Sequence, residues 1–443
     1  MIRKIMHQIW NERKENAWIF LELLVVSICV WLAIDPQFNL ISRNNVEKGY
    51  DAENVFIIDI ERYKDDSRNH DTTFDGYNNK IAQEKVTQML RQIESLPEVE
   101  NYTLLMFSFP GGGATSNNFI IDSTMRTDNK RIETTIMYYA ENGLENSNIF
   151  ATYGIMDTRT NKIIEKDKNG NYVYISESLA KKLFDTENVV GKEIESENGN
   201  KHTVKGVFKD IQQETHCSPC ETAIFTSRAD VYYSEINFSW YDLHIKVKKG
   251  TDNTEFERKF RDEIMPTLKG GNIFCHKITS HADKIKQLEK KKGITNKYRK
   301  NIILSSFALL CALLGIVGTF WVRTVARRQE IGIMQSIGAT RATIVKQFVT
   351  EATILATIAF LIATPLLIQY VYMNGFAEPI NIGFYVGFKP ISETLAWHNK
   401  PVPHFVIVSG ITYLLVTIIS IVGAAIPVAA TVKKEPVEAL REE

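Results

Sequence analysis

The stretch that decides the fold is RRQEIGIMQSIGATR, residues 327–341, because it joins two apolar segments that are each long enough to cross a bilayer. Helix-forming residues fill its first half, and Glu330 and Ile337 recur at helical spacing. Gly338 predicts the C-terminus of that helix, and Thr340 predicts the N-cap of the next one. The pattern therefore predicts a short polar helix, a tight corner and a membrane span. Such a helix can dock a soluble partner, and the alternative is an ordinary solvated loop.

Apolar residues are gathered into four blocks, although the mean hydropathy of the whole chain is only −0.15. Each block is roughly 20 residues long, which suffices for a membrane-spanning helix. The blocks cover residues 17–34, 302–322, 352–373 and 405–430. The first block is followed by no small-x-small cleavage pattern, so we expect an uncleaved transmembrane anchor over 17–37. Residues 1–16 place apolar side chains on one stripe, which predicts an amphipathic helix in the membrane interface.

The long segment between the first two blocks alternates short β-rich runs with amphipathic helices. Strands are predicted near residues 54–60, 104–109, 119–122, 134–139, 173–176, 202–208, 223–226 and 243–247, and helices near 81–95, 177–184 and 254–268. A segment of this length can bury a core of its own. The sequence thus predicts an α-helical membrane protein with four transmembrane helices and a large α+β extracytoplasmic domain inserted between helices 1 and 2.

The charges beside the spans predict the orientation. Four Lys and Arg residues precede the first span, five lie between the second and third and three follow the fourth, against two between the third and fourth. These counts place both termini in the cytoplasm. A lysine-rich run at 284–300 opposes this assignment, but long domains translocate largely regardless of charge. We expect a multi-pass membrane protein in contact with the lipid bilayer.

Two ordered motifs resemble MacB/FtsX-type ABC transporter permeases. One is the pattern R-x-x-E-I-G-I followed by I-G-A in 327–341, and the other is the ending P-V-E-A-L-R at 436–441. The resemblance implies that a separate ATPase docks on the first motif. The implied docking residues are Arg327, Arg328, Glu330, Ile331, Gly332, Ile333, Ile337, Gly338, Ala339, Thr340 and Arg341.

The same resemblance implies a domain plan. Residues 1–16 form a cytoplasmic amphipathic helix, 17–37 the first transmembrane helix, 38–300 a MacB-like periplasmic domain with a stalk, and 301–443 an FtsX-like permease domain with a cytoplasmic coupling loop at 323–346. The stalk segment is also compatible with a solvated linker that breaks at Gly293. We place no motif in residues 42–171, and the sequence alone assigns them no role.

The cysteines form one local pattern that could have a chemical role. Cys217 and Cys220 form a C-x-x-C pair, and Cys275 is a third candidate partner. An oxidising compartment favours a structural disulfide among them. Free thiols, redox chemistry, and a tetrahedral zinc completed by His216 or His276 remain alternatives. We predict a disulfide and no metal site.

Small residues line one face of the second span, where Ala312, Gly315 and Gly318 recur at three- and four-residue spacing. Small residues allow close helix approach in membranes, so this face is a candidate dimer interface. Packing within one subunit is the alternative.

We find neither a nucleotide-binding motif nor a catalytic arrangement in the sequence. Gly111–Gly113 is followed by no Lys-Ser/Thr, and no G-x-x-x-x-G-K-[ST] pattern occurs, so the triglycine is expected to form a flexible hairpin or a loop at the tip of the outer domain. No combination of Ser, His, Asp or Cys resembles a catalytic site. Lys plus Arg and Asp plus Glu both number 52, and this balance gives no indication of nucleic acid binding.

The resemblance implies a permease subunit of an ABC transporter, not itself an enzyme. It would transmit ATP-driven movement of a separate ABC ATPase to its periplasmic domain, for export or envelope remodelling. We expect no cofactor on this chain, with ATP and Mg on the ATPase. The expected partners are that ATPase, a second permease copy or paralogue, and a periplasmic adaptor. The alternative is a membrane-anchored sensor or binding protein without transport activity.

Overall fold

The structure is a computed structural model that describes residues 2–44, 46–75, 79–106, 108–113, 115–120, 132–141, 144–165, 172–196, 199–214, 219–228, 241–376 and 400–433. The chain divides into two compact units. One contains residues 1–42 and the helices from residue 294 onward, and the other contains residues 43–293. The units are described separately below as the membrane unit and the inserted domain.

The helices, in chain order, are α1 Ile2–Asn11, α2 Arg13–Asn44, α3 Lys80–Glu94, α4 Ile149–Thr152, α5 Glu177–Phe184, α6 Asn253–Lys259, α7 His281–Lys291, α8 Ile294–Ala326, α9 Arg328–Ser336, α10 Arg341–Asn374 and α11 Pro401–Val432. Within the described residues, α2, α8, α10 and α11 are long and apolar enough to cross a membrane. The predicted four transmembrane helices are therefore confirmed. Pro36, Pro365 and Pro427 lie inside α2, α10 and α11, as packed membrane helices tolerate.

The membrane unit is held together by apolar contacts along these helices. Leu23 of α2, Ile316 of α8, Ala356 of α10 and Val416 of α11 belong to one buried cluster. Alanine and valine there allow the helices to lie close together, as expected where packing drives helix association in lipid.

The inserted domain has eleven described strands: β1 Val55–Arg62, β2 Val99–Met106, β3 Thr115–Ile120, β4 Ile132–Glu141, β5 Tyr172–Ser176, β6 Glu193–Ser196, β7 Lys201–Phe208, β8 Thr222–Arg228, β9 Tyr241–Val247, β10 Lys269–Gly270 and β11 Ile273–Ser280. They form one sheet in the order β10-β11-β1-β9-β2-β4-β3-β6-β7-β5-β8, and β8 also pairs with β4. That extra pairing closes six strands into a ring, from which the other five extend as an open sheet. The predicted α+β domain between the first and second spans is confirmed.

Helices cover the faces of this sheet. Met89 and Leu90 of α3 pack with Phe256 of α6 against Ile58 of β1 and Leu243 of β9. Leu179 of α5 packs with Val204 of β7 in a separate cluster at the ring. Ser176 precedes α5 as predicted, but its hydroxyl accepts a hydrogen bond from the Thr222 amide instead of capping the helix.

The triglycine lies in a tight hairpin turn of the inserted domain, in which Phe109 pairs with Gly113 and the Gly112 amide donates to the Phe109 carbonyl at 2.9 Å. The amides of Gly111 and Gly113 donate to the carbonyl oxygens of Gln212 and Gln213, at 3.1 and 2.9 Å. Gly111 has φ +83°, and an added Cβ would lie 2.4 Å from the Tyr50 hydroxyl oxygen. A side chain could therefore not be accommodated without displacing Tyr50.

Candidate functional site

The segment between the second and third spans forms a helix and a corner, as predicted. Helix α9 (Arg328–Ser336), called the loop helix from here on, ends in a Schellman motif. The Ala339 amide donates to the Met334 carbonyl at 2.9 Å, the Gly338 amide donates to the Gln335 carbonyl at 3.0 Å, and Gly338 has φ +94°. Thr340 then caps α10 by accepting a hydrogen bond from the Thr343 amide. The corner thus fixes where the loop helix stops and where the third span starts.

The inner face of the loop helix is apolar and buried. Ile331 packs with Ile344 and Phe348 of α10 and with Val428 and Val432 of α11. The Gln335 side chain adds a hydrogen bond from its amide nitrogen to the Val432 carbonyl, at 3.0 Å. The loop helix is therefore packed onto both the third and the fourth spans and is not an ordinary solvated loop.

Arg327 ties the start of the loop helix to the third span. Its Nε and Nη2 donate to the two carboxylate oxygens of Glu330, at 2.6 and 2.8 Å. Its Nη1 donates to Oε2 of Glu351 at 2.7 Å, and its guanidinium lies 4.6 Å from the centre of the Phe348 ring. The five donors of a planar guanidinium make such a multiple contact possible, which a lysine could not reproduce.

A second arginine completes a buried ion network. Arg323, in the last turn of α8, donates through Nη2 to the other oxygen of Glu351. The same Nη2 lies 3.6 Å from Oε2 of Glu12, and the Gln8 side-chain amide donates to Glu330 at 3.3 Å. The network therefore joins α1, the second span, the loop helix and the third span.

The pKa values outside the spans follow from these contacts. Burial opposes the charge on Arg327, but its bonds to Glu330 and Glu351 outweigh that effect and raise the pKa of its guanidinium. Burial also opposes ionisation of Glu330, but the Arg327 partner lowers the pKa of that carboxyl below its usual value. Both groups are thus charged at neutral pH, and the network is held as ion pairs.

The outer face of the loop helix carries two large apolar side chains. Ile333 is 51% exposed and Ile337 is 80% exposed. Arg341, Gly338 and Thr340 are exposed at the following corner. Of the predicted docking residues, Ile331 and Gly332 are buried, Arg327, Arg328 and Ala339 are half-buried, and Glu330 takes part in the ion network. The surface open to a partner consequently centres on the two isoleucines.

The candidate cysteine site is only partly described. Cys275 is a free, buried thiol in the core of the inserted domain, so the structure does not include it in a disulfide, and burial raises its pKa to about 12. The backbone of Cys220 forms an isolated antiparallel β-bridge with that of Ile211. Cys217 lies outside the described residues, so a Cys217–Cys220 disulfide stays a prediction. No group of three metal-ligating side chains occurs among the residues that were placed.

One glycine of the candidate dimer interface faces a helix of the same chain. A Cβ added to Gly315 would lie 2.8 Å from Oε1 of Glu22 in α2, and Thr319 donates to Glu22 at 2.6 Å. An added Cβ on Gly318 would meet nothing within 4 Å. Packing within one subunit thus accounts for Gly315, and Gly318 remains available to a second copy.

Sequence reasoning missed most of the ion network and a second buried pair. Arg323 and Glu12 had no assigned role, and Gln8 was not singled out. His404 of α11 and Asp35 of α2 are both buried, and Nε2 and Oδ1 lie 2.6 Å apart. The available signal was the cost of an ionisable group within or beside an apolar span, which requires a partner there.

Comparison with known proteins agrees with this architecture. Residues 302–436 match the model of the FtsX-like permease C-terminal domain, and residues 41–263 match that of the MacB-like periplasmic core domain. Among curated proteins, the macrolide export ATP-binding/permease protein MacB of Neisseria meningitidis is 27% identical over 203 residues, which are 45% of this chain and 30% of that protein. The uncharacterized ABC transporter permease YknZ of Bacillus subtilis is 25% identical over 285 residues, 62% of each chain. The chain thus spans less than a third of the length of that MacB relative.

Two solved structures are similar to part of this chain. The periplasmic region of MacB from Actinobacillus actinomycetemcomitans is 14% identical, with a TM-score of 0.31, and the match covers 55% of this chain and 94% of that one. A domain of a permease protein from Porphyromonas gingivalis is 16% identical, with the same TM-score of 0.31, and the match covers 52% of this chain and 91% of that one. With the MacB-like core model matching half of the sequence and the FtsX-like model matching the last three spans, the chain is a multi-pass membrane protein that belongs to the MacB/FtsX-type ABC transporter permease family.

Proposed function

We propose that this chain is the permease subunit of an ABC transporter in the bacterial inner membrane, and that it converts ATP-driven movement of a separate ATPase into movement of its inserted domain. The observation that carries the proposal is the loop helix. It is fixed to the spans by the Arg327, Arg323 and Glu351 network, while Ile333 and Ile337 remain exposed.

A transmitting element has to be rigid on one side and accessible on the other. Ile331 and the buried ion pairs hold the loop helix on α10 and α11, so a push on its outer face moves the ends of these spans. The exposed isoleucines can fill an apolar groove on a partner, in the way that helix-in-groove recognition works. Both features belong to the nine-residue loop helix and its two flanking residues, Arg327 and Ile337.

The inserted domain is built to receive such movement at one place. The segment that follows α2 is tied to residues 209–214, because the Gln212 amide donates to the Lys48 carbonyl at 2.9 Å. The end of α7 is tied to the same segment, because Lys292 lies 2.7 Å from Glu214. A displacement of either connection to the membrane unit therefore acts on a single short loop.

The remaining parts of the scheme follow from the family. We propose that both termini are cytoplasmic, which puts the loop helix on the side where ATP is available. ATP and Mg then belong to the ATPase partner, and the complex contains a second permease copy or paralogue. A stalk at residues 287–301 and a periplasmic adaptor belong to the same proposal. The MacB relatives are named for macrolide export, and export or envelope remodelling is the proposed outcome of the movement here.

Affinity purification from native membranes in mild detergent tests the proposal. We expect an ABC ATPase to co-purify with the unaltered chain and to be lost from an Ile333→Asp, Ile337→Asp variant. A Lys346→Gln variant, changed at an exposed position after the corner, is the control and retains the ATPase. If no ATPase accompanies the unaltered chain, the membrane-anchored sensor becomes the better account.

A further inference from the structure

The N-terminal helix α1 has two faces with different surroundings. Toward the membrane unit, Ile5 is buried, and Gln8 and Glu12 reach Glu330 and Arg323. On the other side, Trp10 is 69% exposed and Met6 is also exposed. One short helix therefore joins an internal ion network to an open surface.

The open surface combines aromatic and basic groups. Arg13 lies over the Trp10 ring, with its guanidinium carbon 5.8 Å from the ring centre. Arg13 and Lys14 are exposed, and Trp18 is 70% exposed at the start of the first span. Among the first sixteen residues four are basic and two acidic, and one of the acidic residues, Glu12, is turned toward Arg323. The charged side chains that the structure describes on this open surface, Arg13 and Lys14, are both cationic.

The position of this surface selects its occupant. The segment immediately precedes a helix that can span the membrane from Asn16 to Asn39. Tryptophan prefers the headgroup level of a bilayer, and basic residues beside a span are attracted to anionic lipids. An anionic phospholipid surface matches both the charge and the aromatic side chains of this face.

We propose that the segment from α1 to Lys14 binds anionic phospholipid headgroups, and that this binding orders the loop helix through the contacts of Gln8 and Glu12. Because Gln8 of α1 contacts Glu330 and Glu12, directly after α1, contacts Arg323, α1 and the loop helix lie at the same membrane face. Lipid charge thereby sets how firmly the loop helix is held. The proposal depends on the proposed function only in treating the loop helix as a docking element.

Hydrogen–deuterium exchange of the full chain in lipid nanodiscs tests this inference. The comparison is between phosphatidylcholine alone and phosphatidylcholine mixed with phosphatidylglycerol, followed in peptides that cover residues 2–11 and 328–336. Each basic residue near an anionic surface contributes about 1 kcal/mol of attraction, so two of them are expected to slow exchange by up to about thirtyfold. We expect slower exchange of both peptides with the anionic lipid, and a weaker difference at high salt.

Three variants separate the steps. Arg13→Gln with Lys14→Gln removes the lipid response of both peptides. Lys297→Gln with Lys300→Gln makes the same charge change at exposed positions in the first turns of α8, and it leaves both responses intact. Glu12→Gln keeps the response of residues 2–11 and weakens that of residues 328–336.

Equal exchange in the two lipid mixtures overturns the proposal, as does a response of residues 2–11 with none at 328–336 in the unaltered chain. Protection that follows the number of chains per nanodisc, and not lipid charge, assigns the face to a second copy and also overturns it. Because the measurement contains no ATPase, its failure leaves the proposed function untouched, and the loss of ATPase binding leaves this result untouched.

Discussion

Nη1 of Arg327 and Oε2 of Glu351 lie 2.7 Å apart, although 24 residues and the whole loop helix separate them in sequence. The Glu351 side chain is only 4% exposed, and its other oxygen bonds Arg323. One carboxylate therefore bonds two guanidinium groups at the junction of the second span, the loop helix and the third span.

Removing that carboxylate leaves Arg323 with only the Glu12 carboxylate, 3.6 Å away, and leaves Arg327 with only Glu330. We expect Glu351→Gln to destabilise the membrane unit by about 3 kcal/mol, the usual cost of breaking a buried ion pair from one side. Thermal unfolding in detergent measures the loss. The double variant Arg323→Met, Glu351→Leu removes one charge of each sign and is expected to lose less than Glu351→Gln. Unchanged unfolding of Glu351→Gln would show that the pair contributes little.

The corner after the loop helix depends on the left-handed backbone of Gly338, whose φ is +94°. We expect Gly338→Ala to destabilise this corner by about 1 kcal/mol, because residues with a Cβ rarely adopt that conformation, and Gly338→Asn to cost less. Hydrogen exchange of residues 328–336 measures the effect. The control is Gly410→Ala inside α11, where an added Cβ meets nothing within 4 Å and no positive φ is involved. Equal effects at the two glycines would contradict the account.

Two glycines on α8 separate packing within a chain from packing between chains. We expect Gly315→Leu to displace Glu22, break its bond with Thr319 and lower the stability of a single chain. Gly318→Leu is expected to leave single-chain stability unchanged and to reduce the crosslinked dimer. Thermal unfolding and crosslinking in membranes provide the two readouts. A dimer unaffected by Gly318→Leu would remove this face from the interface.

A buried carboxyl gives the inserted domain a predictable response to pH. Burial raises the pKa of Asp242 from 3.8 to about 6, with Lys284 opposing the rise and Asp59 adding to it. A carboxyl whose pKa is higher in the folded than in the unfolded state makes its full contribution to the stability of the fold below pH 3.8. That contribution is lost as the pH rises toward 6 and beyond. We therefore expect the Asp242→Asn substitution to raise the free energy of unfolding by roughly 1–3 kcal/mol at pH 7.5 and by little at pH 4.

Urea unfolding of the full chain in detergent at the two pH values checks this prediction. Glu100→Gln, at an exposed position of β2, is the control and shows no such dependence. A gain from Asp242→Asn that is the same at both pH values would contradict the assigned pKa.

Local patterns were sufficient to predict the spans and most strands. Residues 177–184 form α5 with the predicted bounds, and the predicted β5, β7 and β9 differ by only one or two residues at their starts. β11 was missed because its burial does not alternate: His276 and Lys277 are both exposed, and its pairing with β1 shifts register between Asp59 and Ile60. β2 begins at Val99, earlier than predicted, because it pairs with β9 from that residue onward.

The candidate site was predictable only in its local part. The Gly338 corner and the Thr340 cap involve neighbours in sequence, and both were predicted. The contact between Gln8 and Glu330 joins residues 322 positions apart, which no spacing rule can detect. Arg327 and Glu330, which were predicted as docking residues, bond to each other, because a charge beside an apolar span is stabilised by the nearest opposite charge.

The most direct test of the central claim is photo-crosslinking in native membranes, with a photoreactive amino acid at Ile337 in one strain and at Ile331 in another. Ile337 is 80% exposed on the loop helix and Ile331 is 1% exposed beneath it. We predict a crosslink from position 337 to an ABC ATPase and none from position 331. The yield of the crosslink at position 337 is expected to change when the ATPase is trapped in its ATP-bound state. A chain that crosslinks to lipid or to itself at position 337, with no ATPase under either condition, would contradict the proposal that the loop helix receives the force of ATP hydrolysis.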